Sequence, residues 1–407
     1  MEHVTGTNPI LYTDYPDPDV IRVGDTYYMV STTMHFMPGG VILRSYDLIH
    51  WEIASYVYET LDDTPGQRLT DGKGIYGKGM WAASLRYHKG TFYVCFVAND
   101  TGKTYLYTAK EIEGPWEKRF IEGFYHDNSL LFDDDDRVYI AYGNREIYIT
   151  ELNETLTAPK EGGLHRMAVK DTGDVILGYE GAHFYKINGK YYLFFIHWPR
   201  NGLRTQACFY ADSLQGEFIG GDVLSSDLDG IHSGVAQGGI VDTPEGDWYS
   251  VMFQDHGAVG RIPVLVPVTW ENVFPVFGTD GTAPKQVTVS AEKTGYEYEP
   301  LLQSDDFKVP ANLSNEDRAR LYGSFGFKSV WQFNHEPDLT LVKHDSEEGS
   351  VEITTGKLCA NVSQAKNTLT QRMMYPGCLG EVTVDVSNLQ EGDYAGLCAL
   401  QGYYGFV

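Results

Sequence analysis

Five times along the chain one short pattern returns: a tight-turn pair, an aromatic or β-branched residue, a tyrosine, then an apolar run. The copies are Val23-Gly-Asp-Thr-Tyr-Tyr-Met-Val30, His88-Lys-Gly-Thr-Phe-Tyr-Val-Cys95 and Asp134-Asp-Asp-Arg-Val-Tyr-Ile-Ala141. Two more follow, Ile187-Asn-Gly-Lys-Tyr-Tyr-Leu-Phe194 and Pro244-Glu-Gly-Asp-Trp-Tyr-Ser-Val251. Gly, Asn and Asp tolerate the positive φ of hairpin turns, and the residues after them suit a pleated strand. The tyrosines at 28, 93, 139, 192 and 249 are 65, 46, 53 and 57 residues apart. Strand-built repeats of about 40–50 residues are the mark of a propeller blade. The chain therefore reads as all-β, with a five-bladed β-propeller over roughly residues 8–290. A β-sandwich with similar hairpins is the weaker reading, because the same turn grammar recurs five times.

Helical signals are few. The best is Ser314-Asn-Glu-Asp-Arg-Ala-Arg-Leu321, with Ser314 as N-cap. It follows a boundary near residue 300, which divides a propeller domain, 1–300, from a second module, 301–407. That module alternates apolar and polar residues at Ser350–Thr354 and Glu381–Val386, the pattern of a β-sandwich (jelly-roll-like) unit. Its apolar last stretch, Leu397–Val407, has no polar tail. The unit thus reads as incomplete, and its open edge invites pairing with the propeller, with a second copy of the chain in a homo-oligomer, or with a missing segment.

Charge narrows the partners. With 31 Lys and Arg against 56 Asp and Glu, the net charge is −25, which repels nucleic acid and anionic membrane surfaces. No apolar run approaches the roughly 18 residues of a membrane span. Met1-Glu2-His3 opens no signal peptide, and five scattered cysteines form no CxxC pair, which together predict a cytoplasmic protein.

Counting back 12 residues from each repeat tyrosine reaches Trp81, Asp127, Glu180 and Gln237, and 11 residues reaches Asp17. Inner strands of propeller blades start beside the central channel, so these side chains are expected at one pocket. Three carboxylic acids there suit glycoside hydrolysis. One activates water, one donates a proton to the leaving oxygen, and a third raises the donor's pKa by like-charge repulsion. Taken singly, each acid is better read as a solvated turn residue; the shared register favours the set. The Asp133–Asp136 run lacks the ligand spacing of a calcium loop and reads as a solvated turn. His197, His232 and His256 read by default as structural histidines.

Several motifs resemble glycoside hydrolase family 43: Asn8-Pro-Ile-Leu11, Tyr15-Pro-Asp-Pro-Asp-Val20, Ser45-Tyr-Asp-Leu-Ile-His-Trp51, Met80-Trp-Ala-Ala83, Asp127-Asn-Ser-Leu-Leu-Phe-Asp-Asp-Asp135, Glu180-Gly-Ala-His-Phe-Tyr-Lys186 and Gly260-Arg-Ile262. Thr354-Thr-Gly-Lys357 and Gln364–Arg372 resemble the C-terminal sandwich of that family's β-xylosidases. The resemblance implies an inverting enzyme on a five-bladed propeller. Asp17 would be its general base, Glu180 its general acid and Asp127 the residue that tunes Glu180. It also implies sugar contacts from Arg261, Trp81 and the loop with His35 and Phe36, which departs from the family's usual Phe-x-Trp-Phe-Pro form. Gln237 stands where many relatives carry a histidine, often near a channel cation. Calcium there is an expectation weakened by that change, and no protein metal site or required cofactor is expected. The reading is an exo-glycosidase releasing β-D-xylose or α-L-arabinofuranose from xylan or arabinoxylan oligosaccharides. An endo-arabinanase and a non-catalytic carbohydrate-binding propeller are the alternatives.

Overall fold

The computed structural model describes residues 2–323 and 325–407. Residues 19–277 form five antiparallel sheets, each a meander in chain order. Blade 1 runs Asp19–Val23, Thr26–Ser31, Gly39–Ser45, Glu52–Tyr58, and blade 2 runs Met80–His88, Thr91–Ala98, Lys103–Ala109, Glu117–Ile121. Blade 3 runs Ser129–Phe132, Val138–Asn144, Glu146–Leu152, His165–Lys170, and blade 4 runs Val175–Ile187, Lys190–Pro199, Thr205–Ala211, Ile219–Leu224. In blade 5 the inner strand is split into Val235–Ala236 and Ile240–Asp242, followed by Trp248–Asp255, Arg261–Glu271 and Phe274–Phe277.

The repeat motif is the first hairpin of each blade. Lys89-Gly90 and Asn188-Gly189 have positive φ at both positions, as two-residue turns between right-twisted strands require. Blades 3 and 5 use longer turns, at 133–137 and 243–247.

Each sheet is buried on both faces, which explains the continuous apolar runs. Val94 and Phe96 pack into the core between blades 1 and 2, while Cys95 faces the core between blades 2 and 3. Likewise Leu193 and Phe195 fill the blade 3–4 core, and Tyr192 and Phe194 the blade 4–5 core. A fifth cluster joins blade 5 to blade 1 through Val251, Leu265, Met29 and Val41. Apolar cores thus lie between every consecutive pair of blades, including last and first. Arg22 of blade 1 also pairs with Asp242 of blade 5 at 2.6 Å. A clasp of Glu2–Thr7 with Gln286–Ala291 ties the two ends of this domain. Asn8 fastens it: its Nδ2 donates to the carbonyls of Leu265 and Pro284 at 2.7 and 2.8 Å.

Beyond the clasp, the expected helix spans Asn315–Leu321, and Ser314 Oγ accepts from the Asp317 N–H at 2.9 Å. Gln332–Asn334 pairs on one side with Leu369–Thr370 and on the other with Phe36–Met37 of the propeller. Val342–Asp345 with Ser350–Ile353, and Cys398–Gln401 with Tyr403–Phe406, form two hairpins. The expected strand Glu381–Val386 is not one. Among the described residues its backbone has no ladder partner, and Val382, Val384 and Val386 are exposed. Alternation in sequence makes a strand only where a second strand receives its hydrogen bonds.

Candidate active site

Strand pairing places the acids in a register the count from tyrosine had blurred. Tyr28, Tyr139 and Tyr249 pair with Ile21, Leu131 and Val241. Asp17, Asp127 and Gln237 each lie four residues before those partners, and all three are left-handed, with φ of 53°, 47° and 59°. Asp17 is therefore in step with Asp127 and Gln237, and its apparent offset reflects the longer turns of blades 3 and 5. Trp81 and Glu180 are the displaced pair: each sits one residue earlier, just ahead of a β-bulge. A one-residue shift turns a side chain to the other face, and bulges near active sites re-aim side chains. In blade 4 the left-handed position falls on Gly181, φ 63°. A Cβ there would come within 2.7 Å of the Gln237 side chain, so only glycine admits it.

Asp17 is buried, accepts from Thr32 Oγ1 at 2.7 Å and from Arg261 Nη1 at 2.5 Å. The Arg261 guanidinium lies over the Phe253 ring at 4.6 Å, which fixes its plane. Asp127 Oδ2 accepts from the Gly181 N–H at 3.1 Å, and the Ala182 N–H donates to its carbonyl at 3.2 Å, so the two acid-bearing segments are bonded directly. Glu180 Oε2 accepts from the Asn144 amide and lies 3.3 Å from His126 Nε2, which is also 3.7 Å from Asp127 Oδ1. Burial pushes Asp127 up to about 7; Glu180 and Asp17 push the same way, and His126 opposes them. His126 is raised in spite of burial, by its bond to Glu180 and the charge of Asp127. Of the three acid side chains Glu180 is the most open, at 18% against 7% for Asp127.

The sequence singled out neither His126, directly before Asp127, nor Asp14, directly before the Tyr15 motif, nor Asn144, which no motif touches. Asp14 Oδ1 accepts from the Arg261 backbone N–H at 2.6 Å, and burial lifts this carboxyl to about 6 against that bond and the charge of Arg372.

The expected sugar contacts divide. Trp81 donates its indole N–H to the Gly77 carbonyl at 3.1 Å, which orients the ring 6.3 Å from His126. His35 is buried, accepts from the Gly77 N–H at 3.1 Å, and packs against Phe36, Tyr76 and His335 at 4.3, 4.4 and 4.6 Å. Burial beside His335 holds it well below its ordinary pKa. It supports the half-buried Phe36 from beneath. Gln237 is buried, and its N–H donates to Gln206 Oε1 at 2.8 Å. His197 is a satisfied structural histidine, with Nδ1 3.1 Å from Asp171.

Where four blades meet, Arg86 fills the space. It donates to Asp19 Oδ2 at 2.7 Å, Ser129 Oγ at 2.6 Å and the Leu130 carbonyl at 2.8 Å, with its guanidinium 5.2 Å from the Tyr185 ring centroid. His183 Nδ1 is 3.0 Å from the other oxygen of Asp19. Against the upward push of burial, Arg86 and His183 hold Asp19 below its ordinary value. Calcium takes six to eight oxygens. This junction offers one carboxylate, already shared between two cationic or polar partners. His126, Asp127 and Glu180 bring ligand atoms within 4.8 Å of one another, but supply two carboxylates and a nitrogen. Neither set supplies six oxygens from its side chains.

A ring of antiparallel blades with three carboxyls gathered at one mouth, one of them paired to arginine, defines a propeller glycoside hydrolase. Residues 6–275 match the model for glycosyl hydrolases family 43, and residues 326–407 match the β-xylosidase C-terminal concanavalin A-like domain, itself a β-sandwich. The chain belongs to glycoside hydrolase family 43. It is 31% identical to a putative β-xylosidase of Xylanibacter ruminicola, over 94% of this chain and 69% of the relative. It is 28% identical to a non-reducing end α-L-arabinofuranosidase of Bacteroides ovatus, over 68% of this chain and 54% of the relative. A solved bifunctional GH43-CE protein of Bacteroides eggerthii superposes with a TM-score of 0.87 at 40% identity; all of this chain matches half of that one. Among the described residues no helix is long and apolar enough to cross a membrane.

Proposed function

We propose that the chain is an inverting exo-glycosidase that removes terminal β-D-xylosyl or α-L-arabinofuranosyl residues from xylan or arabinoxylan oligosaccharides. The observation that carries the reading is the set of three carboxyls from blades 1, 3 and 4 in three different environments. Asp17 is ion-paired to Arg261, Asp127 is buried and raised to about 7, and Glu180 is the most open. In this reading Asp17 takes a proton from water as the water oxygen bonds to the anomeric carbon. Glu180 gives its proton to the departing glycosidic oxygen on the opposite side as that bond breaks. Solvent then removes the proton from Asp17 and returns one to Glu180. Asp127 tunes and orients Glu180 through Gly181 and His126. Arg261, Trp81 and Phe36 contact the sugar.

The names of the relatives and the β-xylosidase-type second module support exo action over an endo-arabinanase. Retention of all three acids supports catalysis over mere binding. Five cysteines without a disulfide are in keeping with a reducing compartment. The test is hydrolysis of chromogenic β-xyloside and α-L-arabinofuranoside, with proton NMR of the first-formed sugar. The expected product has the anomeric configuration opposite to the substrate. A retained anomer, or no hydrolysis of either substrate, refutes the reading.

A further inference from the structure

The second module reaches the segment that carries Asp17. Tyr375 N–H donates to the Tyr12 carbonyl at 2.7 Å, and Thr13 bridges to Met374. Between these contacts and the base lies Arg372. Its Nε donates to the Asp14 carbonyl at 2.7 Å, and its guanidinium sits 4.3 Å over the Tyr15 ring. Asp14 faces the other way as well. Its Oδ1 accepts from the Arg261 N–H at 2.6 Å, and the Tyr15 N–H donates to the Arg261 carbonyl at 3.0 Å. Gly260, with φ 113°, leaves the room: a Cβ there would lie 2.2 Å from Asp14 Oδ1. Arg261 then grips Asp17 directly, at 2.5 Å.

We infer that Arg372 is a positioning residue for the base: through Asp14 it fixes Arg261, and through Arg261 it fixes Asp17. The inference rests on the reading of Asp17 as base. The Arg261 guanidinium meets the Asp17 carboxylate at 2.5 Å only while this geometry holds, and small misplacements of a reacting group are costly. The charged or titratable groups facing Asp17 are Arg261 and Asp14 on one side and His126 and Asp127 on the other. Arg372 itself faces Asp14, Tyr15 and Tyr56. A variant at 372 leaves all of them in place.

The experiment is the pH dependence of kcat/KM for the full chain on an activated xyloside. It compares the unaltered protein with Arg372→Met, Arg372→Lys and Asp17→Ala. For Arg372→Met, kcat should fall on the order of 10²-fold with KM little changed, and the acidic limb should move to higher pH. Arg372→Lys keeps the charge but not the Nε–H, and should show the same shift, smaller. The limb does not depend on how much enzyme is folded, so a merely structural brace lowers activity and stability without moving it. An unmoved limb overturns the inference. If Arg372→Met does not fold, Arg372→Lys decides by the same limb. Should the unaltered protein hydrolyse nothing, or Asp17→Ala stay fully active, it is the functional reading that fails instead.

Discussion

Replacing Asp127 by asparagine should make the protein more stable at alkaline pH while crippling it. Asp127 is buried beside Glu180 and Asp17, and burial with those charges lifts it from its ordinary 3.8 to about 7. A raised carboxyl pKa means that the folded state holds a proton that the unfolded chain gives up. Between the two values the folded state binds more protons, so stability falls as pH rises and levels off above about 7. At about 1.4 kcal/mol per pKa unit, the full penalty is roughly 4 kcal/mol. Asparagine avoids it, and the value of about 7 already contains the opposing pull of His126, 3.7 Å from Asp127. We expect a gain of roughly 4 kcal/mol at pH 8 and about half of it at about pH 5.5, where the penalty is half developed. Gly181 N–H still finds an acceptor in the asparagine side-chain oxygen, so no buried donor is orphaned. Urea unfolding of both proteins at the two pH values, compared by midpoint at equal slope, measures this. A midpoint at pH 8 that is unchanged or lower in the variant would refute the reasoning. So would a difference independent of pH.

Asp17→Ala should lower kcat/KM on every substrate by about 10²–10⁴-fold, the range for losing a general base, read by steady-state kinetics. Glu180→Ala should hurt substrates with good leaving groups much less than natural oligosaccharides; equal losses on both would contradict its assignment as the acid. Arg86→Met should cost about 3–5 kcal/mol in urea unfolding, because Asp19 would stay buried without its main partner. Chelation should leave the unfolding midpoint and activity unchanged, since neither carboxylate set supplies six side-chain oxygens; a midpoint lowered by chelator and restored by calcium would contradict that.

The five hairpins were legible because turn chemistry is local. Asn188-Gly189 or Lys89-Gly90 followed by aromatic residues specifies two strands and their connection within eight residues. The blades' two-sided burial was legible too, as the unbroken apolar runs of Tyr191–Ile196 and Val94–Ala98. The register of the acids was not. Counting from a tyrosine assumes turns of equal length and strands without bulges. The turns at 133–137 and 243–247, and the bulges after Trp81 and Glu180, each shift the count by one. Such shifts depend on hydrogen bonds to a neighbouring strand, which no local pattern announces. Glu381–Val386 went wrong for the same reason: its alternation is real, but pairing is not a local property.

Within the site, the acids announced themselves because the chemistry demands carboxyls and the motifs around them are long. Their supports did not, since each is ordinary in type and meets a partner remote in sequence. His126 matters because an imidazole adjoins two carboxyls that come from different blades. Asp14 matters because Gly260, 246 residues later, leaves a hole for it. Arg86 reads as one more surface charge until Asp19, Ser129 and Tyr185 close around it. In each case the residue's meaning is set by what the ring brings alongside it, at separations of 40 residues or more. The propeller explains why. Neighbouring blades are near in sequence, but the first and last meet only when the ring closes, and Asp17, the proposed base, lies at that seam with Arg261. A closure defect would therefore strike the base first. That is physical ground for finding the strongest bracing there, from the clasp, from Asn8 and from the second module.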